Sequence, residues 1–593
     1  MLPTYTLLLC RSKHVLVATE ALKNVPFGFR ISDFGFRAGT VEFVLRVQEA
    51  NRVIPYYRPV PLTALPLIYH REHLFPYTSF GGTDTVAVPR SFRMVVLEND
   101  FLRVEVAPEL GGRVYSLFDK RIGREILFSN PVVKPVRILP IWGFISGGIE
   151  FNFPIAHSPT SIAEVGCTSG VVDNYGFVVV GEREGRTGME WAVELGLAEG
   201  IPALVQRTRF RNRTTGDHPW MSWTIAAVPS TRDTEFVHPP HRVLVHDDRV
   251  RESEWPGDGL NWDRNLQQMT ALFWKPGSAP AFGAFHHGLG FGLMHLADPT
   301  QLPGKKVWTY GHGRHRHWGQ GSTEGGLCYA EIESGPLLDQ SEKPLFPKGE
   351  ERSYEEFWIP VHSRAECDRL KFPQMTVPDK PPQWLGWEHS PWQVEWERFR
   401  AGEGPLPGST VPPGLELETE LRRELESGHA RAAEPLALWL AFRGRPAEAL
   451  PLVAQGSQTA RRIAGLICWK GLHDPAQAAP HLEAGPLDDP VAVVELDELY
   501  AELGLDDHRG PLLDRAAAHA RVIERQVALA LKRGNPEKAI ELLSNTPWQR
   551  EHQRYVRTTL WKQVQSALGG DNADVPEFLN EDNLAQFGAY WSG

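Results

Sequence analysis

Cysteine is scarce and scattered. The 593-residue chain has five, Cys10, Cys167, Cys328, Cys367 and Cys468, with no CxxC pair. An odd set of widely spaced thiols builds neither a disulfide framework nor a zinc cluster, so buried free thiols in a reducing compartment are expected. Long apolar runs are also missing. No stretch of about 18 apolar residues occurs, and no membrane span is expected. The short run Leu7 to Leu9 has no basic segment before it and no small-residue cleavage site after it. It reads as a strand rather than a signal peptide, and cytoplasmic residence is expected. Positive charge is in deficit: 62 Lys and Arg against 73 Asp and Glu give a net charge of -11. That is the wrong sign for neutralising phosphates, which excludes nucleic acid as the partner. A zinc motif is lacking too. Nine of the 22 histidines (238, 241, 246, 286, 287, 295, 312, 315 and 317) lie between Phe236 and Trp318, as HPPH, HH and HGRHRH among others. None has the spacing of HExxH, so no cofactor is expected and no motif supports a divalent metal.

What is present is ordinary soluble composition, 42% hydrophobic and 23% charged, over a length that calls for two to four domains. In the first 90 residues VEFVLRVQ (Val41 to Gln48) alternates like a half-buried strand, and the Pro- and aromatic-rich Tyr56 to Tyr77 reads as an extended wrapping segment. From about Arg93 to Val361 the texture is β throughout. In FLRVEVAPELGGRVYSLFDKRIGREIL, Leu102, Val104 and Val106 alternate with Arg103 and Glu105. Pro108 to Gly112 turns, and Arg113 to Phe118 returns. GFVVVGE, EWAVELGL, ALVQRTRFRN, WMSWTIAAVP, FGAFHH and FGLMHLA follow as short strands between turn clusters. Many short strands with frequent Gly and Pro predict an antiparallel sandwich of two broad sheets.

Beyond it, residues 363–413 are rich in Pro and Trp. Trp384, Trp387, Trp392 and Trp396 are too apolar for a free tether, so this linker is expected to pack on the sandwich. From about Leu415 the chain is Ala-, Leu-, Glu- and Arg-rich. LAFRGRPAEAL (Leu440 to Leu450) matches ALKRGNPEKAI (Ala530 to Ile540), and turn positions 444, 473, 504 and 534 recur at intervals of 29, 31 and 30 residues. A helix, a tight turn and a second helix at that period predict a degenerate helical-hairpin solenoid. The expected division is an N-terminal β-rich wrapping region (1–90), the sandwich (91–362), the linker (363–413) and the repeats (414–593). The repeats would offer a surface to a protein partner or a second copy of the chain.

LENDFLRVEVAPELGGRVYSLFDKRIGREIL resembles the opening strand pair of galactose-mutarotase-like domains. SGGIEFNFPIAHSPTS, GKKVWTYG, YAEIESG and EEFWIPV are similar to a domain-of-unknown-function family of that clan fused to tetratricopeptide repeats, as are YHREHLFPY and TPWQREHQRYVRTTLW. The resemblance covers roughly Tyr56 to the end. It implies a β-supersandwich with a sugar-sized groove on its concave sheet, and so a mono- or oligosaccharide as the ligand.

The candidate site residues follow from motif and resemblance together. Glu150 stands just beyond Gly147-Gly148 among aromatics, where a carboxyl can be desolvated and serve as an acid or a hydroxyl ligand; alternatively it satisfies backbone donors at a strand end. His157, seven residues on, is of the type to shuttle a proton at neutral pH. Tyr329, Glu331 and Glu333 alternate, so a strand places all three on one face, which without the resemblance would read as a solvated outer face. In mutarotase-like folds the base is a glutamate on a late strand, and Glu331 matches it best. Lys306, Trp308 and Tyr310 alternate likewise and supply an aromatic wall with hydrogen-bonding neighbours. Trp142, Trp223 and Trp262 are further candidates for that wall. Arg113, Asn152 and His246 complete the sugar contacts. The leading expectation is a glycoside hydrolase with Glu150 and Glu331 as its carboxyl pair. The alternatives are an aldose epimerase or mutarotase, with His157 or His246 as acid and Glu331 as base, and a non-catalytic sugar-binding sandwich.

Overall fold

The computed structural model describes residues 45–581, apart from 64, 67, 70–74, 78, 138–142, 156, 248, 314–315, 341, 376–383, 386–400, 402–414, 550–554 and 571–573. Between Arg46 and Val361 antiparallel strands build two large sheets, and helices occupy Leu415 to Ala567. No helix among the described residues is long and apolar enough to cross a membrane.

The site is carried by seven strands of the larger, twelve-stranded sheet. They are β1 (Arg113–Asp119), β2 (Ile149–Asn152), β3 (Trp223–Pro229), β4 (His241–His246), β5 (Thr270–Trp274), β6 (Gly304–Thr309) and β7 (Tyr329–Gly335), in the spatial order β1-β2-β3-β7-β6-β5-β4. Leu102–Ala107 returns into β1 as the alternation in that segment demands, with Leu102, Val104 and Val106 buried against the second sheet. The eight-stranded sheet stacks on this face. Thr224 of β3 reaches across and donates to Glu356 at 3.0 Å, while Gln206 bridges Thr224 and Glu356. Val114, Ile149, Ala226, Ala330, Ile332 and Val307 fill the space between the sheets. Residues of the opposite parity on these strands point to the other face of the larger sheet, where the polar candidates gather.

The larger sheet begins earlier than the sequence pattern suggests. Of the strand expected over Val41 to Gln48, residues 41–44 lie outside the described residues; a strand runs over Arg46–Tyr56 and pairs along its whole length with Val88–Glu98, so residue 91 falls inside a strand. The reason is its position at the sheet edge. Only Ile54 and Tyr56 are buried, against Phe92 and Met94, and most of the rest is exposed, which leaves little alternation to read.

The Pro- and aromatic-rich segment that follows crosses to the helical tail. Pro59–Pro61 pairs with Phe80–Thr83, Ile68 and Phe75 enter the core of the first helices, and the Phe75 ring lies 5.0 Å from Phe442 and 6.3 Å from Trp439. Trp384 of the linker packs on the sandwich, beneath the guanidinium groups of Arg209 and Arg211 at 4.6 and 4.0 Å. Trp387, Trp392 and Trp396 lie outside the described residues.

The tail comprises α1 (Leu415–Glu426), α2 (Ala433–Phe442), α3 (Pro446–Val453), α4 (Gln458–Leu466), α5 (Pro475–Glu483), α6 (Pro490–Glu502), α7 (Asp506–Arg515), α8 (Ala520–Lys532), α9 (Pro536–Asn545) and α10 (Val556–Ala567). Four antiparallel hairpins, α2–α3 to α8–α9, turn at Gly444, His473, Gly504 and Gly534. All four residues adopt left-handed φ values of 72°, 58°, 71° and 69°. That conformation ends one helix without a steric penalty when the residue is Gly. In α3, α5 and α9 a proline then opens the return helix, where its missing N–H costs nothing. The period in the sequence is therefore the period of a turn that needs positive φ.

Arg462 of α4 ties the tail to the wrapping segment. It is buried and donates to Thr63, Asp489 and Glu495. Phe75→Ala should cost about 3–5 kcal/mol of the packing between this segment and the tail. Limited proteolysis is expected to cut the α1–α3 region faster in the variant while the sandwich stays intact. An unchanged cleavage rate would show that Phe75 does not hold the tail in place.

Candidate functional site

The strand register brings most of the candidates onto one sheet face. Glu150 of β2 lies opposite Ile225, Ile225 opposite Glu333, and Glu333 opposite Lys306. One step along, Ala227, Glu331, Trp308, Ala271 and His246 form a parallel row. Directly paired residues of antiparallel strands share a face. Glu150, Glu331, Glu333, Lys306, Trp308, Tyr329 and His246 are thus on the face turned away from the smaller sheet.

Glycine sets the entry to β2. Gly148 has φ of 76°, and a Cβ there would sit 2.2 Å from the Val114 carbonyl oxygen. The chain approaches β1 this closely only without a side chain. The approach places Glu150 beside Arg113. Arg113 Nη2 donates to Glu150 Oε2 at 3.2 Å, while its Nη1 donates to the Ile145 and Gly147 carbonyls at 2.7 and 2.8 Å and its Nε to Leu110 at 3.3 Å. Every nitrogen of Arg113 is thus engaged, and it pins the β2 entry loop as well as the carboxylate. His157 meets the other Glu150 oxygen, with Nδ1···Oε1 at 3.1 Å. Its backbone is left-handed, φ 52°, which is uncommon outside Gly and costs conformational energy.

Three carboxyl groups on this face have almost no contact with solvent: Glu150, Glu331 and Glu333 keep 4%, 7% and 0% of their accessible surface. Their surroundings divide them. Burial alone would raise Glu150, but His157 and Arg113 outweigh it and hold that carboxyl below the usual range. Glu333 is paired with Lys306, Nζ···Oε1 2.6 Å, and accepts from Gln340 Nε2 at 2.9 Å. Glu331 has neither arrangement. Burial first, then the neighbouring Glu333 charge, push it well above the usual carboxylate range, and Lys306 offsets this only in part. Burial and pairing thus drive the proton affinities of Glu331 and Glu150 in opposite directions on one face.

An aromatic wall flanks Glu331. Phe128 stacks on Tyr329 at 4.9 Å, Tyr310 meets Tyr329 edge-on at 5.5 Å, and Trp308 meets Tyr310 edge-on at 4.6 Å. Trp308, directly across from Glu331, is only half-buried and offers ring surface. The Tyr329 hydroxyl is 3.0 Å from Ser146 Oγ, which donates to Ser322 at 2.7 Å. His246, at the far end, tilts on Phe273 at 5.0 Å, and burial lowers it to about 4, so it is neutral at pH 7.

Other candidates stand elsewhere. Asn152 accepts from the Ser158 N–H at 3.3 Å and lines a cavity of about 10 Å³ between the sheets, room for one water, with Gln206, Thr208 and Tyr354. Trp223 shares the strand face of Ile225 but is fully buried at its end, edge-on to Phe273 at 6.2 Å, with no ring surface to offer. Trp262 packs on His287 at 5.1 Å, beside the smaller sheet. Trp142 and His315 lie outside the described residues. The other histidines disperse: His295 bonds Glu356, His286 bonds Thr234, His287 bonds Glu235 and His312 pairs with Asp263. Among the described residues no three His, Cys, Asp or Glu side chains converge as a metal would need. Gln340, Ser146, Ser322 and Phe128 were not singled out from the sequence; they reach the site from loops, where no periodicity marks them.

Residues 70–361 match the family model described as a domain of unknown function, DUF5107, and a second model, of a C-terminal domain, matches 430–564. A TPR-domain containing protein from Parabacteroides distasonis is 31% identical, with the match covering 91% of this chain and 98% of that one at a TM-score of 0.81. The chain belongs to the DUF5107 family. Its architecture is a sandwich of two large antiparallel sheets with a helical-repeat tail. A galactose mutarotase-like protein from Clostridium acetobutylicum overlaps at 11% identity over 46% of this chain and 96% of its own, TM-score 0.35. A putative aldose 1-epimerase from Escherichia coli K12 does so at 12%, over 46% and 99%, TM-score 0.33. Overlaps this slight carry no argument about what the DUF5107 site does.

The opposed ionisations give opposite stability effects. A carboxyl raised on folding, as Glu331 is, contributes stability that is complete below its usual value of 4.5 and lost as pH climbs through the raised value. Glu331→Gln should therefore melt higher than wild type at pH 8, with the gap closing below pH 4.5. Glu150 is lowered, so its contribution is present above 4.5 and is lost as pH falls through the lowered value. Glu150→Gln strands the buried Arg113 charge and should cost about 3–5 kcal/mol at pH 7. Thermal melts of both variants from pH 4 to 9 check the signs; equal shifts in one direction would contradict the assignment.

Proposed function

We propose that this chain is a carbohydrate-active enzyme that performs acid–base chemistry at the anomeric centre of a sugar bound on the outer face of the larger sheet. The observation carrying the reading is the opposed pair: Glu331 raised beside the half-buried Trp308, and Glu150 held ionised by Arg113 and His157 on the same face. Titratable groups driven apart in this way divide into acid and base. The leading reaction is glycoside hydrolysis. Glu331 gives its proton to the glycosidic oxygen as the C1–O bond breaks, and Glu150 takes a proton from the water that attacks C1. The two rise from strands two places apart and are offset by two residues along them, about 12 Å between backbones. The wide spacing of the strands leaves room for a water between the two side chains.

One observation favours a second reading, anomerisation of a free aldose. His157 is held by Glu150 in a strained backbone, as a positioned proton-transfer group is. The roles then exchange relative to the sequence-based expectation. His157 takes the proton of the anomeric hydroxyl while Glu331 protonates the ring oxygen, the C1–O5 bond opens, and reclosure gives the other anomer.

The ligand is an uncharged pyranose in either case. Arg113 and Lys306 each already pair with a carboxylate, so neither is available to a phosphate or a uronate. Trp308 supplies the stacking surface.

Screening neutral aryl-glycosides and short oligosaccharides for release, and free aldoses for faster anomerisation, separates the readings. Hydrolysis predicts release that falls by about 10²-fold or more in Glu331→Gln. Anomerisation alone, lost in the same variant and in His157→Ala, supports the second reading. Binding of a neutral sugar without turnover would sink both. Sugar phosphates turned over in preference to neutral sugars would contradict the uncharged ligand.

A further inference from the structure

Glu333 has no assigned part in the chemistry above, yet it is fully buried and held from two sides. It follows Glu331 by two positions on β7, so both project to the same face. Two neighbouring buried carboxyl groups cannot both ionise cheaply, so one of them holds a proton more tightly than the other. Lys306, directly across on β6, lies 2.6 Å from Glu333 Oε1. Gln340, from the loop after β7, closes a ring: its Oε1 accepts from Lys306 Nζ at 3.0 Å, and its Nε2 donates to Glu333 Oε2 at 2.9 Å. All of this stabilises negative charge on Glu333, whereas for Glu331 Lys306 offsets burial only in part.

We propose that Glu333 is the positioning residue of the site's acid: anchored by Lys306 and Gln340, it accepts the hydrogen bond that Glu331 donates, and so decides which carboxyl of the face carries the proton. The proposal rests on the reading of Glu331 as the acid. It adds a reason why the acid is Glu331 and not its neighbour. The charged and titratable groups facing Glu331 are Glu333 and Tyr329 on its own strand, Lys306 on β6, and Glu150 on β2. From β3, between β2 and β7, the facing residues are Ile225 and Ala227, which do not titrate. Tyr310 adjoins Tyr329. Of the two cations near it among the described residues, Arg113 is engaged by Glu150 and the loop carbonyls, and Lys306 can tip the proton either way.

Infrared titration of the full-length protein tests this without needing a substrate. A buried protonated carboxyl has its own C=O stretch, and Glu331→Gln identifies the band by removing it. In Glu333→Gln the like charge is gone and Lys306 is free to pair with Glu331, so the midpoint of the band should fall by at least about one pH unit, tenfold in proton affinity. In Lys306→Met the carboxyl pair loses its cation, and the midpoint should rise. A midpoint unmoved in both variants, or moved in the opposite directions, overturns the proposal. If Glu333→Gln does not fold, Lys306→Met and the milder Gln340→Leu, for which a smaller change is expected, still decide it. The proposed reaction fails separately: shifted midpoints with no turnover of any sugar would leave the role of Glu333 standing and remove the enzyme reading.

Discussion

The organising constraint of this structure is the burial of carboxyl groups on one face of a β-sheet with fewer cations than acids. Desolvation makes each of those charges expensive, and only pairing offsets it. Arg113 compensates Glu150 and Lys306 compensates Glu333. Glu331 is left between them, and the low-cost state for an uncompensated buried carboxyl is the protonated one. The acid is thus made by arithmetic of charge on a rigid surface. The surface is rigid because strand pairing from β1 to β4 fixes the register and because the opposite face of every strand is locked into the core between the sheets.

The same economy explains the tight loops. Arg113 serves Glu150 and at the same time satisfies the Ile145, Gly147 and Leu110 carbonyls, so one buried cation both neutralises a charge and closes a turn. Gly148 allows that turn because no side chain fits against β1 there. Far from the sheet the tail repeats the logic: Arg462 is buried where the wrapping segment crosses, held by Thr63, Asp489 and Glu495. The wrapping segment and the helices of this DUF5107 protein therefore share a core, with Phe75 packed against Trp439 and Phe442.

Much of this was legible in the sequence where a short-range rule applies. Period-two alternation places Tyr329, Glu331 and Glu333 on one face before any partner is known, and the hairpin from Asn99 to Asp119 shows its strands and turn in order. The recurrence of 444, 473, 504 and 534 marks a residue that must turn left-handed. What was not legible depends on register between strands far apart in the chain. Nothing local says that Lys306 faces Glu333 rather than solvent, that Arg113 is used up on loop carbonyls, or that Asn152 is taken by the Ser158 N–H. Gln340 sits in a loop without periodicity, and the edge strand Arg46–Tyr56 is too polar to announce itself.

The account stands on where one proton resides. Neutron diffraction from crystals of the deuterium-exchanged wild-type protein at pH 7 observes it directly. The account requires deuterium on a Glu331 carboxyl oxygen, shared toward Glu333, with Glu150 and Glu333 bare and Lys306 carrying three. Deuterium on Glu150, or a bare Glu331, would contradict it.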